Sequence, residues 1–298
     1  MNDANVIFHR LRARLQAIAY SMLGSMADAE DVVQDVWLRW HDAEQSIVNN
    51  VEAWLVTVTT RVAIDRLRAL KVHREHYVGL WLPEPVLTEG PATPEQIHER
   101  HGELSMALLS MLERLSPEAR AAFLLREIFD VSYADIAESI GKNEASVRQI
   151  VHRAKSRLRD GQTRYSVSPE AHGRILERFV QALSLGQIKP LQAILADDAE
   201  LIGDGGGRES SLPEPLHGGQ RIAQLFYASS LRYKSGCRIE LASINGELSA
   251  LRYIHDALES VVSVETDDDH IVRVLVQRNP EKLARVAAGL GVPLFASL

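Results

Sequence analysis

SYADIAESIGKNEASVRQIVHRA, residues 132–154, decides the fold of the middle of the chain. Tyr133 to Ile140 predicts a short helix, Gly141-Lys142-Asn143 a tight turn, and Glu144 onward a long helix. Two helices joined by a glycine-containing turn, the second rich in Arg and Gln, make a helix-turn-helix. Ser146, Arg148 and Gln149 fall near the N-terminal end of the second helix, the part that reaches base edges. Arg matches guanine's acceptors and Gln matches adenine. His152, Arg153, Lys155 and Arg157 lie further along, and the cations there suit phosphates, which position the protein without specifying sequence. Upstream, Ser116-Pro117-Glu118 is a helix start, with Ser116 as N-cap and Pro117 at the first helical position.

The whole chain has 298 residues, which predicts two or three domains. Hydrophobic residues at 46% and charged residues at 24% give a soluble globular composition. No run approaches ~18 apolar residues, so no membrane partner is expected, and the N-terminus lacks a secretory h-region. The single cysteine, Cys237, reads as a small core residue; it excludes an internal disulfide and fits a reducing cytoplasm. No Cys/His cluster has metal-ligand spacing, so neither metal nor cofactor is expected. The net charge of −7 argues against a general polyanion binder, but its distribution does not. One basic island holds Arg61, Arg66, Arg68, Lys71 and Arg74 against Asp65 and Glu75. A second holds Arg148, Arg153, Lys155, Arg157, Arg159 and Arg164 against Glu144 and Asp160.

The first island lies on the third of three predicted helices. Ile7, Leu11, Leu15, Ile18 and Met22 form the apolar stripe of the first. The second opens at Asp28, its acidic first turn favoured by the helix dipole, and buries Val32, Val33, Val36, Trp37 and Trp40. The third, from about Glu52 to Lys71, buries Trp54, Leu55, Val58, Val62 and Leu67. On its other side Arg61, Asp65, Arg68 and Lys71 recur at steps of three or four, a geometry that can follow a phosphate backbone. Alone, such a helix reads more readily as a solvated face.

Read together, these segments resemble the extracytoplasmic-function sigma factors. Residues 27–39, ADAEDVVQDVWLR, match the acidic helix of region two; Ala53-Trp54-Leu55, Arg61 and residues 64–68, IDRLR, match the helix that follows. Residues 112–118, LERLSPE, with Arg120, Phe123 and residues 124–127, LLRE, lead into the helix-turn-helix as in region four. The resemblance implies that Asp28, Asp31, Gln34 and Asp35 face the clamp helices of core RNA polymerase. It implies that Arg61, Asp65, Arg66, Arg68 and Lys71 meet the minus-ten promoter element, and that the helix from Glu144 enters the major groove of the minus-thirty-five element. Arg61 stands where many relatives have Asn. The alternative is a helix-turn-helix regulator of another kind, which has no use for the acidic helix.

After Tyr165 a helical pattern from Pro169 to Leu195 gives way to strand-like runs at Ala199–Gly203, Cys237–Ile244, Glu247–Ile254, Leu258–Glu265 and His270–Gln277. This predicts an α+β unit with a curved antiparallel sheet. Three short motifs resemble the sigma factor subgroup with a fused, cone-shaped SnoaL-like domain: Trp81-Leu82-Pro83-Glu84-Pro85, Asp204-Gly205-Gly206-Gly207-Arg208, and Asn279-Pro280-Glu281-Lys282-Leu283. The expected architecture is therefore multidomain: all-α region two at 1–76, a linker at 77–103, all-α region four at 104–164 and the α+β domain at 165–298. Trp81 and Leu82 are costly to leave in water, by about 1.5–3 kcal/mol for a large side chain. The linker motif is expected to pack near the other two motifs as a regulatory interface, replacing a separate anti-sigma protein. Relatives of the α+β fold include cyclases, so the rival for this domain is an enzyme using Asp204, His217, His255 or Asp256, or a sensor of a small-molecule ligand.

Overall fold

The computed structural model describes residues 3–74, 77–88, 104–161, 167–233, 236–267 and 269–296. Pro91 and Pro94 of the linker lie outside them, as does the side chain of Lys71. The chain divides into two units. One comprises 1–75, 94–104 and 111–161; the other comprises 76–93, 105–110 and 162–298.

The first unit is helical. α1 (Asp3–Leu23), α2 (Met26–Asp42) and α3 (Val51–Arg74) form one bundle, and α5 (Pro117–Glu127), α6 (Tyr133–Ile140) and α7 (Glu144–Gly161) another; α4 (Met106–Leu112), which precedes α5, belongs to the second unit as far as residue 110. Leu15, Ile18 and Leu23 of α1, Val36 and Trp40 of α2 and Leu55 of α3 are all essentially inaccessible. Ser25, Ser116 and Ser132 each cap a following helix through the side-chain oxygen, satisfying an N–H that would otherwise lack a partner. Gly141 closes α6 at φ 66°, a left-handed conformation that glycine adopts without strain.

The two bundles pack together within this unit. Arg120 of α5 is only 2% exposed. Its guanidinium donates to the carbonyls of Met22 (2.8 Å) and Leu112 (3.0 Å) and to the Glu113 carboxylate (2.8 Å). Thr57 of α3 and Ser139 of α6 share a buried hydroxyl–hydroxyl bond of 2.9 Å.

The second unit is a six-stranded sheet in the order β2-β1-β6-β5-β4-β3. It is built from β1 (Leu195–Asp204), β2 (Leu216–His217), β3 (Cys237–Ile244), β4 (Glu247–Ile254), β5 (Ala257–Thr266) and β6 (Ile271–Gln277). The expected antiparallel sheet is in fact mixed, because β1 runs parallel to β6. A parallel pair needs a long crossover, and the stretch between β1 and β6 includes α10 (Gly219–Arg232) and four strands. The helical pattern from Pro169 to Leu195 resolves into α8 (Pro169–Ser184) and α9 (Ile188–Ile194). Leu176, Phe179, Leu191 and Ile222 from α8, α9 and α10 meet Leu201, Val262 and Val274 on one face of the sheet. On the other face Leu82 joins Ile202, Leu251, Leu275 and, from α11 (Pro280–Leu290), Leu283 and Val286.

Candidate nucleic-acid interface and linker dock

The acidic face of α2 and the basic face of α3 are partly turned to each other. Arg66 of α3 pairs with Asp28 at 2.8 Å and Asp31 at 3.4 Å. The hydrogen bond to Asp28 raises the guanidinium's pKa further, so it stays charged. Gln34 and Asp35 remain exposed on the same helix. Arg66, expected at DNA, thus braces the two carboxylates expected at polymerase.

Two further cations of α3, Arg61 and Arg68, reach α6 and α5. Arg61 donates to the carbonyl oxygens of Glu138 (2.7 Å) and Ser139 (3.2 Å) at the end of α6, the negative pole of that helix. Arg68 pairs with Glu118 in the first turn of α5 and with Asp65 at 3.0 Å. The bond from Arg68 holds the Glu118 carboxyl below its ordinary pKa. Sequence reading missed Glu118, Arg120 and Ser139 as partners because nothing local marks a contact between segments so far apart in the chain. Trp54 is half-buried, its ring 5.1 Å from that of Trp40.

In the helix-turn-helix, Asn143 Oδ1 accepts from the N–H of Ser146 at 2.8 Å, which fixes the start of α7. Gln149, His152 and Arg153 are exposed. Gly141, Asn143, Ser146, Gln149 and Arg153 border one open groove. Arg148 is not among the residues that border it; it pairs with Glu144 at 3.1 Å and lies 4.2 Å from the Tyr133 ring centroid. Lys155 reaches back to Glu127 of α5 at 2.6 Å.

The three short motifs of the second unit meet around Asp204. This carboxylate is fully buried and accepts from Tyr77 Oη (2.7 Å), the Leu82 N–H (2.9 Å), Lys282 Nζ (2.7 Å) and Gln277 Nε2 (3.2 Å). Lys282 Nζ also donates to the Leu82 carbonyl at 2.6 Å and lies 4.2 Å from the Trp81 ring centroid. Asn279 Nδ2 donates to Tyr77 Oη at 2.9 Å while Asn279 Oδ1 caps α11. Burial, with the neighbouring Asp204 carboxylate, pushes the Tyr77 phenol well above its ordinary range, so it remains a donor. Leu82, Pro83, Glu84 and Pro85 are buried, and Arg285 Nε sits 3.3 Å from Glu84. At Gly206, φ 62°, any side chain would run into the Asn279 amide. Arg208 pairs with Glu281 at 2.6 Å in solvent. Tyr77 and Gln277 were missed by the motif reading although each stands just outside a motif.

A cavity of about 420 Å³ opens on the other face of the sheet. None of the four residues considered for acid–base chemistry lines it. Asp204 faces the linker instead, His217 is exposed on β2, and His255 and Asp256 form the exposed β4–β5 turn at φ 50° and 62°. Cys237, expected in a core, is half-buried at the cavity wall. Among the described residues no group of three or more His, Cys, Asp and Glu is placed to hold a metal ion, and no helix is long and apolar enough to cross a membrane.

An acidic helix ahead of a basic one, a helix-turn-helix and an appended α+β domain define a two-region transcription initiation factor with a fused accessory domain. Residues 7–72 match the Sigma-70 region 2 family and 105–158 match Sigma-70, region 4. The chain is 35% identical over 247 residues to the ECF RNA polymerase sigma factor SigJ of Mycobacterium tuberculosis, covering 82% of this chain and 79% of that one. It is 29% identical over 286 residues to the probable ECF sigma factor SigI of the same organism, covering 94% of both. The crystal structure of M. tuberculosis SigJ superposes with a TM-score of 0.74 at 30% identity, over 94% of this chain and 98% of that one. The chain belongs to the extracytoplasmic-function RNA polymerase sigma factors, which bind core polymerase and direct it to promoter DNA.

Proposed function

We propose that this sigma factor is regulated in cis through its linker, which the α+β domain grips at the Asp204 cluster. The observation that carries this reading is the burial of Leu82 at 0% exposure, with its N–H on Asp204 and its carbonyl on Lys282. The linker joins α3 to the helices of region four, so its free length limits how far those two regions can separate on a promoter. Covalent tethering keeps the α+β domain at high effective concentration, as a separate anti-sigma protein would not be. In this reading Asp28, Asp31, Gln34 and Asp35 bind polymerase in the cytoplasm. Arg61, Asp65, Arg66, Arg68 and Lys71 serve the minus-ten element. Ser146, Arg148, Gln149, His152, Arg153 and Lys155 serve the minus-thirty-five element, and the fused domain works as a binding module, not an enzyme.

The test is in vitro transcription with core polymerase, comparing the full chain with Lys282→Ala and Leu82→Ala. Hydrogen exchange across residues 77–88 reports whether the linker has been released. Released linker with altered transcript yield is the expected result. Released linker with unchanged yield would remove the regulatory claim.

A further inference from the structure

We propose that the cavity of the α+β domain binds a small amphipathic carboxylate, and that its occupancy is transmitted to the linker dock through the ends of β1 and β6. The transmission half rests on the cis-regulatory reading above. The ligand half stands by itself.

The wall chemistry selects the ligand. Leu201, Leu225, Phe226, Ile239, Val262 and Val276 supply an apolar bed within the volume range of small-molecule sites. Arg232, Arg252 and Arg278 also line it; among the described residues Glu259 is the one carboxylate lining the cavity, and Glu209, which does not line it, sits 3.7 Å from Arg278. Glu259 is already saturated. Its Oε1 accepts Arg278 Nε at 2.7 Å, and its Oε2 accepts Ser260 Oγ at 2.7 Å and Arg252 at 3.3 Å. It therefore anchors the arginines and has little capacity left for a cationic ligand. Arg252, with its side chain 15% exposed, gives Glu259 one N–H group; among the described residues its other N–H groups meet no acceptor. Three guanidinium groups against two carboxylates, in the wall of an apolar cavity and beside it, fit an acid with a hydrocarbon or aryl body.

A second observation points to the same place. Ser211, also on the cavity wall, has a buried Oγ with no hydrogen-bond partner among the described residues. A buried hydroxyl left unpaired is destabilising, so a ligand oxygen there would satisfy it. Arg278 also donates to the carbonyl of Ser210, so the loop that carries Ser211 is held by one of the arginines offered to the ligand.

The route to the linker is one residue long. Strand side chains alternate between faces. Gly203 lines the cavity and Asp204 holds the Leu82 N–H; Val276 lines the cavity and Gln277 donates to the Pro83 carbonyl at 3.2 Å; Arg278 lines the cavity and Asn279 donates to Tyr77. A ligand that draws Arg278 or spreads the 205–211 loop acts on the same backbone that presents the linker's partners.

Cys237 is the only cysteine of the chain and lines the cavity, so its alkylation by iodoacetamide reports occupancy in the full-length protein. Octanoate and 4-phenylbutanoate are the probes, with 1-octanol and octylamine as neutral and cationic controls. The acids should slow alkylation by about tenfold at about ten times their Kd, and the controls should not. Arg252→Gln should abolish the protection and Arg252→Lys should restore part of it. Ile239→Trp, which fills the cavity from the position paired with Arg252 on the neighbouring strand and keeps all three arginines, should abolish it too and covers the case in which Arg252→Gln does not fold. Equal protection by octanol, protection that survives Arg252→Gln, or no protection by either acid would overturn the ligand assignment. Hydrogen exchange at residues 80–85 should change when octanoate binds; binding without that change would overturn the transmission. If no acid binds while Lys282→Ala still alters transcription, the ligand proposal fails and the cis-regulatory reading survives.

Discussion

The carboxylate of Asp204 accepts the backbone N–H of Leu82 at 2.9 Å, with neither group accessible to solvent. A buried carboxylate is tolerated only when paired, and here Lys282 supplies the opposite charge at 2.7 Å. Removing one partner of such a pair costs about 3–5 kcal/mol, because the other is left buried and uncompensated. Lys282→Ala should therefore destabilise the linker dock by about 3 kcal/mol, read as faster hydrogen exchange of residues 77–88. Arg208→Ala, which breaks the pair with Glu281 in solvent, should change the same exchange little, since exposed pairs contribute at most about 1 kcal/mol.

Arg120 should be the most sensitive position of the helical unit. It is almost inaccessible, and its guanidinium joins two segments far apart in the chain: Met22 at the end of α1, and Leu112 with Glu113 at the end of α4. Arg120→Ala should lower unit stability by about 3–5 kcal/mol in chemical denaturation. Arg120→Lys should rescue little, since an ammonium cannot direct donors to several acceptors as a planar guanidinium does. A denaturation midpoint unchanged in Arg120→Ala would show that the contact contributes nothing.

Much of this architecture is legible in sequence because it is periodic or capped. The stripes of α1 to α3, Ser116-Pro117 at α5 and Gly141 between α6 and α7 are local signals, and the structure has helices at each. The long strands β3 to β6 lie at the predicted runs within a residue or two. What escaped is nonlocal. The parallel pairing of β1 with β6 is a register choice that alternation cannot reveal, and β2 is only two residues long. α10 begins at a glycine without a side-chain cap, so it carries no start signal. Asp204 read as part of an interface motif, or in the rival reading as a catalytic acid; its individual partners Tyr77 and Lys282 escaped because they lie far away in sequence. The same distance hid the arginine-clamped Glu259, whose neighbours come from three strands' worth of chain.

The helix-turn-helix allows base reading and phosphate binding to be separated. Gln149 is exposed on the groove near the start of α7, whereas Arg153 lies a turn further along the same groove. Gln149→Ala should cost about 1–3 kcal/mol of discrimination at one base pair of the upstream element, measured by competition between promoter variants. Arg153→Ala should weaken binding to all variants alike and reduce the salt slope by about one. Arg148, committed to Glu144 and Tyr133, should matter less to base choice than Gln149, and a larger specificity loss from Arg148→Ala would contradict that placement.

The α+β domain should be acid-sensitive through His172. Its ring is largely buried in α8, Nε2 sits 3.1 Å from the Leu248 carbonyl, and burial lowers its pKa below the ordinary value. The carbonyl is an acceptor only, so the neutral ring with the proton on Nε2 suits the site. The unfolded chain takes up a proton near pH ~6.5, whereas the folded domain resists it until the pH is lower. Stability from this residue is thus complete above about pH 6.5 and is lost as pH falls toward the depressed folded value. Melting temperatures of the full chain at pH 7.5 and 5.5 should differ more for the native sequence than for His172→Gln, which keeps a donor but cannot titrate. An equal pH dependence in the two proteins would assign the acid sensitivity to other groups.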